Sequence, residues 1–314
     1  MSPERKLAID LIIPVFNEAG VVEQTYAEVC QIIDALPHEF NIYYVDDGSQ
    51  DKTAACLESL AETDRRIVLL ELARNFGHQA ALTAGLDAST GDFVITMDAD
   101  GQHPPEMIPR MIELFRQGYD IVQAQRVEEG QSVSFKRLTS TGFYALINRI
   151  SGTHMEPGAA DFRGMSRQVV AALKSMPEYH RFLRGMISWV GYRSVILPYH
   201  ETRRVGGRSK YSLGKMFRLA MDAIFSFSLM PLYIGLSAGG LFFCLAALEM
   251  IYVLSFWVTG RTSSLAPGWS SLMFVILIVG GMIMILLGFI GIYVGYIFQE
   301  VKRRPVYLLK KREK

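Results

Sequence analysis

Two long stretches that are almost free of charge constrain what this 314-residue chain can fold into more than any other feature. Between Met230 and Val258 the single charged residue is Glu249, and between Ala266 and Gln299 there is none. Crossing a bilayer takes about 20 apolar residues, so each stretch is long enough to span one. A soluble fold would have to wrap both runs completely, which is unusual for a chain of this size. The economical reading is a two-helix transmembrane hairpin over 228–299. Charge sets its direction: residues 203–218 carry six Lys/Arg and no acid, the tail after Gln299 carries seven Lys/Arg against Glu300 and Glu313, and Thr259–Gly268 carries Arg261 alone. Positive outer flanks and a nearly neutral connection predict that both termini lie in the cytosol, in an integral inner (plasma) membrane protein.

Ahead of the hairpin the pattern changes. Short β-rich apolar runs at Leu7–Pro14, Phe40–Val45, Ile67–Leu72 and Phe93–Met97 alternate with helical periodicity at about 19–35, 51–63 and 78–89. That alternation predicts βαβ units and a mostly parallel sheet with helices on both faces. The opening MSPERKLAIDLIIPVF does not have the layout of a signal peptide, so this domain, residues 1–200, is expected to stay cytosolic. A strand is expected at Asp120–Gln125, a helix around 135–150, a polar stretch at 151–161 and a strand near 192–197. Residues 201–227 hold a basic glycine-rich loop. It leads into Leu213, Met216, Phe217, Ala220 and Ile224, an i, i+3, i+4, i+7, i+11 stripe that suits a helix lying in the membrane interface. Residues 300–314 form a basic tail. Three scattered cysteines support neither a disulfide framework nor a zinc site. A formal net charge of +1 gives no reason to expect a nucleic-acid partner.

In open parallel sheets, ligands bind beyond the carboxyl ends of the strands. Three of the expected strands run into polar motifs there: Pro14-Val15-Phe16-Asn17-Glu18, Asp46-Asp47-Gly48-Ser49 and Asp98-Ala99-Asp100-Gly101-Gln102. Hard cations such as Mg²⁺ or Mn²⁺ prefer oxygen ligands and are commonly held by one or two carboxylates with substrate phosphates, which makes Asp98 and Asp100 the metal candidates. Gly48 allows a tight turn that aims Asp46 and Asp47 into the same crevice, and Asp51 is read as the cap of the following helix. His78, His103 and His154 show no ligand spacing, and His103 is read as a loop residue beside the site. Gly235/Gly239 and Gly291/Gly295 form GxxxG pairs that permit close helix contact, within the hairpin or between protomers.

The series IIPVFNE, VDDGS, LARNFGHQAALTAGL, GDFVITMDADGQHPPE, GAADFRGMSR and RRVGGRSKYS, followed by two apolar spans, resembles the polyprenyl-phosphate glycosyltransferases of the inverting GT-A class. These include the bactoprenol glucosyltransferases and, more distantly, the dolichol-phosphate mannose synthases. The resemblance covers about residues 7–298. It implies a Rossmann-like GT-A fold and a metal-dependent transfer of a hexose, glucose from UDP-glucose foremost, to undecaprenyl (polyprenyl) phosphate. GDP-mannose as donor, or nucleotide-sugar binding without catalysis, are the alternatives. By residue, it implies that Asp98, Asp100 and Gln102 contact the metal and diphosphate. Asp46 and Asp47, with Pro14, Phe16 and Glu18, would line the nucleotide pocket. Arg126 and Arg137 would meet the acceptor phosphate, Asp161 and Arg163 would stand near the reaction centre, and Arg204, Ser209 and Lys210 would belong to a basic loop that closes over substrate. Gly101 and Arg208 depart from the family pattern. The family habit together with the GxxxG faces implies a homo-oligomer, with a tetramer as the leading candidate.

Overall fold

The computed structural model describes residues 5–127, 159–179, 181–200, 230–259 and 268–310. The chain separates into two compact units, Met1–Leu213 with Arg304–Lys314, and Gly214–Arg303. The expected helix at 135–150, His154 and the interfacial helix of 201–227 lie outside the described residues, as do Arg137, Arg204, Ser209 and Lys210.

The first unit is built on a seven-stranded sheet in the order β3-β2-β1-β4-β6-β5-β7. Its strands are β1 (Ala8–Val15), β2 (Glu39–Asp46), β3 (Ile67–Glu71), β4 (Phe93–Thr96), β5 (Ile121–Arg126), β6 (Ala159–Ser166) and β7 (Ser194–Tyr199). Strands β1 to β4 are mutually parallel. Their connections are α1 (Val22–Ile33), α2 (Thr53–Thr63) and α3 (His78–Ala88). Beyond β4 come α4 (Ile108–Arg116), α5 (Arg167–Ser175) and α6 (Leu183–Trp189).

Strand β1 shows why the sheet is buried on both sides. Leu11 and Ile13 point into a core shared with Val22, Val29 and Ile33 of α1, Leu57 of α2 and Met111 of α4. Ile12, between them, faces α3. Successive side chains of a strand alternate faces, so a continuous apolar run is what a doubly covered strand requires. Gly85 makes the α3 contact possible: a Cβ there would stand 2.3 Å from Ile12 Cγ2.

One charged residue is sealed into this core at the end of the sheet away from the motifs. Asp10 is fully buried and accepts hydrogen bonds from the Thr90 and Gly91 N–H groups, each at 2.7 Å, and from Asn41 Nδ2 at 2.8 Å. Asp10→Ala strands three donors, each costing about 1–3 kcal/mol when left without a partner. The variant is therefore expected to lose at least ~3 kcal/mol of stability in denaturation of the detergent-solubilised protein, while Asp10→Asn, which keeps one acceptor oxygen, loses less. Stability within about 0.5 kcal/mol of the parent would contradict this role.

Past β4 the topology changes. β6 runs antiparallel to both β4 and β5, and β7 is parallel to β5. An antiparallel strand enters the sheet at the edge where its parallel neighbours leave, so the first residues of β6 meet the last of β4. Thr96 is in register with Arg163, and its hydroxyl donates to the Asp161 carbonyl at 2.6 Å. The sequence predicts a polar stretch up to residue 161. In fact Asp161 and Arg163 sit inside a buried strand, their charges paired with each other.

The second unit contains two long helices, α7 (Met230–Val258, 29 residues) and α8 (Trp269–Lys302, 34 residues). Within α8, the 25-residue stretch Ile278–Lys302 is long and apolar enough to cross a membrane. Gly235 is packed against its neighbour, since a Cβ there would fall 1.8 Å from Leu286 Cδ2 of α8. Among the described residues nothing lies within 4 Å of a Cβ built at Gly239, Gly291 or Gly295.

The sequence reading sets 300–314 apart as a tail. In the structure, Leu309 forms an antiparallel bridge with Leu72, directly after β3. The Ala73 N–H donates to the Leu308 carbonyl and the Lys310 N–H to the Glu71 carbonyl, both at 2.8 Å. Lys310 Nζ also lies 3.3 Å from the Glu71 carboxylate, and the Tyr307 hydroxyl donates to Asp87.

Candidate functional site

The carboxyl ends of β1, β2 and β4 converge on an open cavity of about 370 Å³. Pro14, Phe16, Glu18, Asp47, Asp98, Asp100 and Asp161 line it, together with Asn75, His78 and Arg184. Asp46, Gln102, Arg126 and Arg163 stand outside this lining.

The first two motifs brace one another. The Asn17 N–H donates to Ser49 Oγ at 2.9 Å, and Asn17 Oδ1 accepts from the Gln50 N–H at 2.8 Å. The Glu18 N–H donates to Thr53 Oγ1 at 2.9 Å. The sequence predicts Asp51 as the helix cap; α2 instead begins one residue later, after Lys52. Asp51 still accepts from the Thr53 N–H at 2.9 Å, and its second oxygen takes the Ala19 N–H. The carboxylate therefore knits the two loops together besides serving the helix start.

Asp46 and Asp47 divide their work. Asp46 turns inward and accepts from the Ser49 N–H and hydroxyl. Asp47 faces the cavity and holds the next loop, accepting from the Phe76 N–H at 2.7 Å and the Gly77 N–H at 2.9 Å. Burial raises both carboxyls above the usual range, more than their hydrogen bonds lower them. Gly48 between the two loops has φ +69°, and a Cβ there would stand 2.5 Å from the Arg74 carbonyl carbon. Only glycine allows the loops to approach this closely.

The β4 motif is fixed from below. The Asp98 N–H donates to His103 Nδ1 at 2.9 Å, so that nitrogen is the unprotonated acceptor of the ring. The buried His103 ring stacks on Phe162 of β6, with centroids 5.0 Å apart. Asp100 Oδ1 accepts from the Gln102 N–H at 3.1 Å, closing a short side-chain turn. Two carboxylates separated by one residue thus share a cavity, and their oxygens suit a hard divalent cation. Among the described residues no group of three or more His, Cys, Asp or Glu side chains is assembled to hold a metal. A cation at Asp98 and Asp100 would draw its other oxygens from phosphate and water, as Mg²⁺ commonly does.

Asp161 is the electrostatic centre of the cavity floor. One oxygen accepts from Arg163 at 2.9 Å and from Arg184 Nε at 3.0 Å, and the other accepts from Arg184 Nη2 at 3.0 Å. His78 Nε2, at the start of α3, lies 3.4 Å from Asp161 and 3.5 Å from Asp98. Burial pushes the Asp161 carboxyl up, but the Arg184 guanidinium, the His78 contact and Arg163 together hold it well below the usual carboxylate range. Desolvation lowers the His78 imidazole, and its two carboxylate neighbours raise it by more.

Sequence reasoning set His78 aside as a metal or acid–base residue and did not single out Arg184. Their partner Asp161 is distant in sequence, so no local spacing announces the cluster. Its one trace is the Asp161-Phe162-Arg163 triplet.

Comparison with known proteins agrees with this geometry. The model of glycosyl transferase family 2 matches residues 10–173. A bactoprenol glucosyl transferase of Shigella phage SfX is 40% identical over 311 residues, covering 98% of this chain and 100% of the relative. A prophage bactoprenol glucosyl transferase homolog of Escherichia coli K12 is 38% identical over 312 residues, with 98% and 100% covered. The fold resembles mannosyl-3-phosphoglycerate synthase from Rubrobacter xylanophilus, at a TM-score of 0.50 and 17% identity over 69% of this chain and 72% of that one. The Rossmann-like GT-A sheet, the acidic cavity at its carboxyl edge and the extended similarity together make this chain a glycosyltransferase and a member of glycosyl transferase family 2.

Proposed function

We propose that the protein transfers a hexose, glucose from UDP-glucose, to undecaprenyl (polyprenyl) phosphate at the cytosolic face of the membrane. The observation that carries this reading is near-complete alignment, at about 40% identity, with a relative named as a bactoprenol glucosyl transferase. The cavity's acidic lining and the apolar stretch of α8 are consistent with it. In this reading α7 and α8 form a two-span hairpin with both termini cytoplasmic, and the chain works as a homo-oligomer.

A lipid phosphate suits the site chemically. Its second pKa is about 6, so it is largely ionised at neutral pH and needs no strong base to attack an anomeric carbon. The demand falls on bringing two anions together. Pro14, Phe16, Glu18 and Asp47 form the nucleotide side, with Asp46 turned inward to brace the loop through Ser49 and Asp47 holding the 76–77 loop in place. Asp98 and Asp100, with Gln102, would hold Mg²⁺ or Mn²⁺, whose charge screens the departing diphosphate when bound. Arg126 at the end of β5, with Arg137, Arg204 and Lys210, would receive the acceptor phosphate, arginine being suited to bidentate contact, and Ser209 would belong to the loop that closes over substrate.

The test is transfer by purified full-length protein from a panel of labelled UDP- and GDP-sugars, with undecaprenyl phosphate as acceptor. Label from UDP-glucose is expected to enter the lipid fraction and to stop doing so when EDTA removes the divalent ion. Label that stays in the aqueous phase with every sugar, or that enters lipid equally well in EDTA, would overturn the proposal.

A further inference from the structure

The cavity floor sets two guanidinium groups, Arg163 and Arg184, among the carboxylates of Asp161 and Asp98. Asp161 carries one negative charge and is held by two guanidinium groups. Arg163, 3% exposed, pairs with it inside the strand. Arg184 is a second positive charge on the same carboxylate, and it lines the cavity. Unlike Arg163, which is sealed within the strand, Arg184 reaches the cavity where a ligand would sit.

Arg184 is also held firmly. Two of its nitrogens grip the two Asp161 oxygens side by side, each at 3.0 Å, which fixes the guanidinium plane. The start of its helix is pinned from α3, where Gln79 Oε1 accepts the Leu183 N–H at 3.1 Å. A guanidinium oriented in advance and partly out of water, across a cavity from a carboxylate pair, is the arrangement that stabilises charge on a bound anion without reorganising.

We infer that Arg184 is a phosphate-binding catalytic residue, with Asp161 orienting its guanidinium toward a phosphoryl oxygen in the cavity. This deepens the proposed function and rests on it for the choice of ligand. The phosphoryl oxygen belongs either to the donor diphosphate or to the acceptor phosphate; both offer the same anionic oxygens, and experiment separates them.

The experiment uses full-length protein with Arg184→Ala and Arg184→Lys. UDP and GDP binding are measured with Mn²⁺ and no acceptor, and KM for undecaprenyl phosphate is measured at saturating donor. Loss of a charge-assisted contact should weaken one of these by about 10-fold or more in Arg184→Ala. Arg184→Lys should recover part of that, since it keeps the charge and loses the fork. Weaker nucleotide binding assigns the contact to the diphosphate. A raised acceptor KM with nucleotide affinity intact assigns it to the acceptor phosphate. Added guanidinium ion should partly restore Arg184→Ala, which a purely structural role would not allow. Nucleotide affinity and acceptor KM both within about twofold of the parent would overturn the inference. Should Arg184→Ala melt too low to assay, the same criterion applies to Arg184→Lys. A parent protein that binds UDP yet moves no sugar to lipid phosphate would sink the proposed function, while the nucleotide arm would still decide the role of Arg184.

Discussion

Asp100→Ala should lower sugar transfer by about 10²- to 10³-fold, the usual cost of removing an electrostatic group aimed at developing charge. Asp100 is a cleaner probe than Asp98. The Asp98 carboxylate lies near both His78 and His103, so its removal disturbs the cavity floor as well as any bound cation. Asp100 Oδ1 accepts the Gln102 N–H within its own loop, and its carboxylate lines the cavity. The loss should appear in kcat, with the melting temperature within a few degrees of the parent. Asp100→Asn keeps an acceptor for the Gln102 N–H while removing the negative charge, and should be impaired almost as severely. Transfer retained at half the parent rate or better in both variants would remove Asp100 from the reaction.

Asp161→Ala should lower the stability of the catalytic unit by several kcal/mol. It takes the 2.9 Å carboxylate contact from the almost wholly buried Arg163, and breaking a buried ion pair typically costs about 3–5 kcal/mol. Arg184 loses both of its carboxylate contacts at the same time. Asp161→Ala combined with Arg163→Met should recover much of the stability, because replacing both members of a buried pair is often nearly neutral. Activity should not return with it, since Arg184 would still lack its orienting partner. The sign of the pH dependence follows from the lowered Asp161 carboxyl. Its contribution is present above the unfolded carboxylate pKa of about 4 and is lost only as pH falls through the lower folded value. The carboxylate itself therefore adds no slope to the stability gap between parent and Asp161→Ala from pH 5 to 8; the gap should narrow as pH rises through the raised His78 imidazole, whose shift the variant removes in part. A double variant no more stable than Asp161→Ala would mean that Arg163 is not the source of the cost.

The parallel half of the catalytic unit was legible in the sequence because its strands obey one simple rule. β1, β2 and β4 are buried on both faces over Leu11–Val15, Ile42–Val45 and Phe93–Ile95, so apolar residues follow one another there, and polarity begins just beyond at Asn17, Asp46 and Asp98. The same rule hid β6. Asp161 and Arg163 break the apolar run, yet both are buried, because each cancels the other's charge within the strand. Residue type reads polarity one position at a time and cannot see that cancellation. His78 and Arg184 were missed for a related reason. They come together at Asp161, over separations of 83 and 23 residues. His103 was placed correctly beside the site as a loop residue. Its grip on the Asp98 N–H depends on a ring stacked against Phe162 of the hidden strand.

The pairing of Leu308–Lys310 alongside Glu71–Ala73 has a further consequence. β3 is the outermost strand on its side of the sheet, and an uncovered outer strand offers a row of main-chain donors and acceptors to any neighbouring polypeptide. The last described residues occupy part of that row, so the chain supplies its own blocker against edge-to-edge aggregation. A shortened version ending at Arg303 would keep every residue of the cavity lining and still expose a sticky template, which makes the C-terminus a poor place to trim this protein for expression.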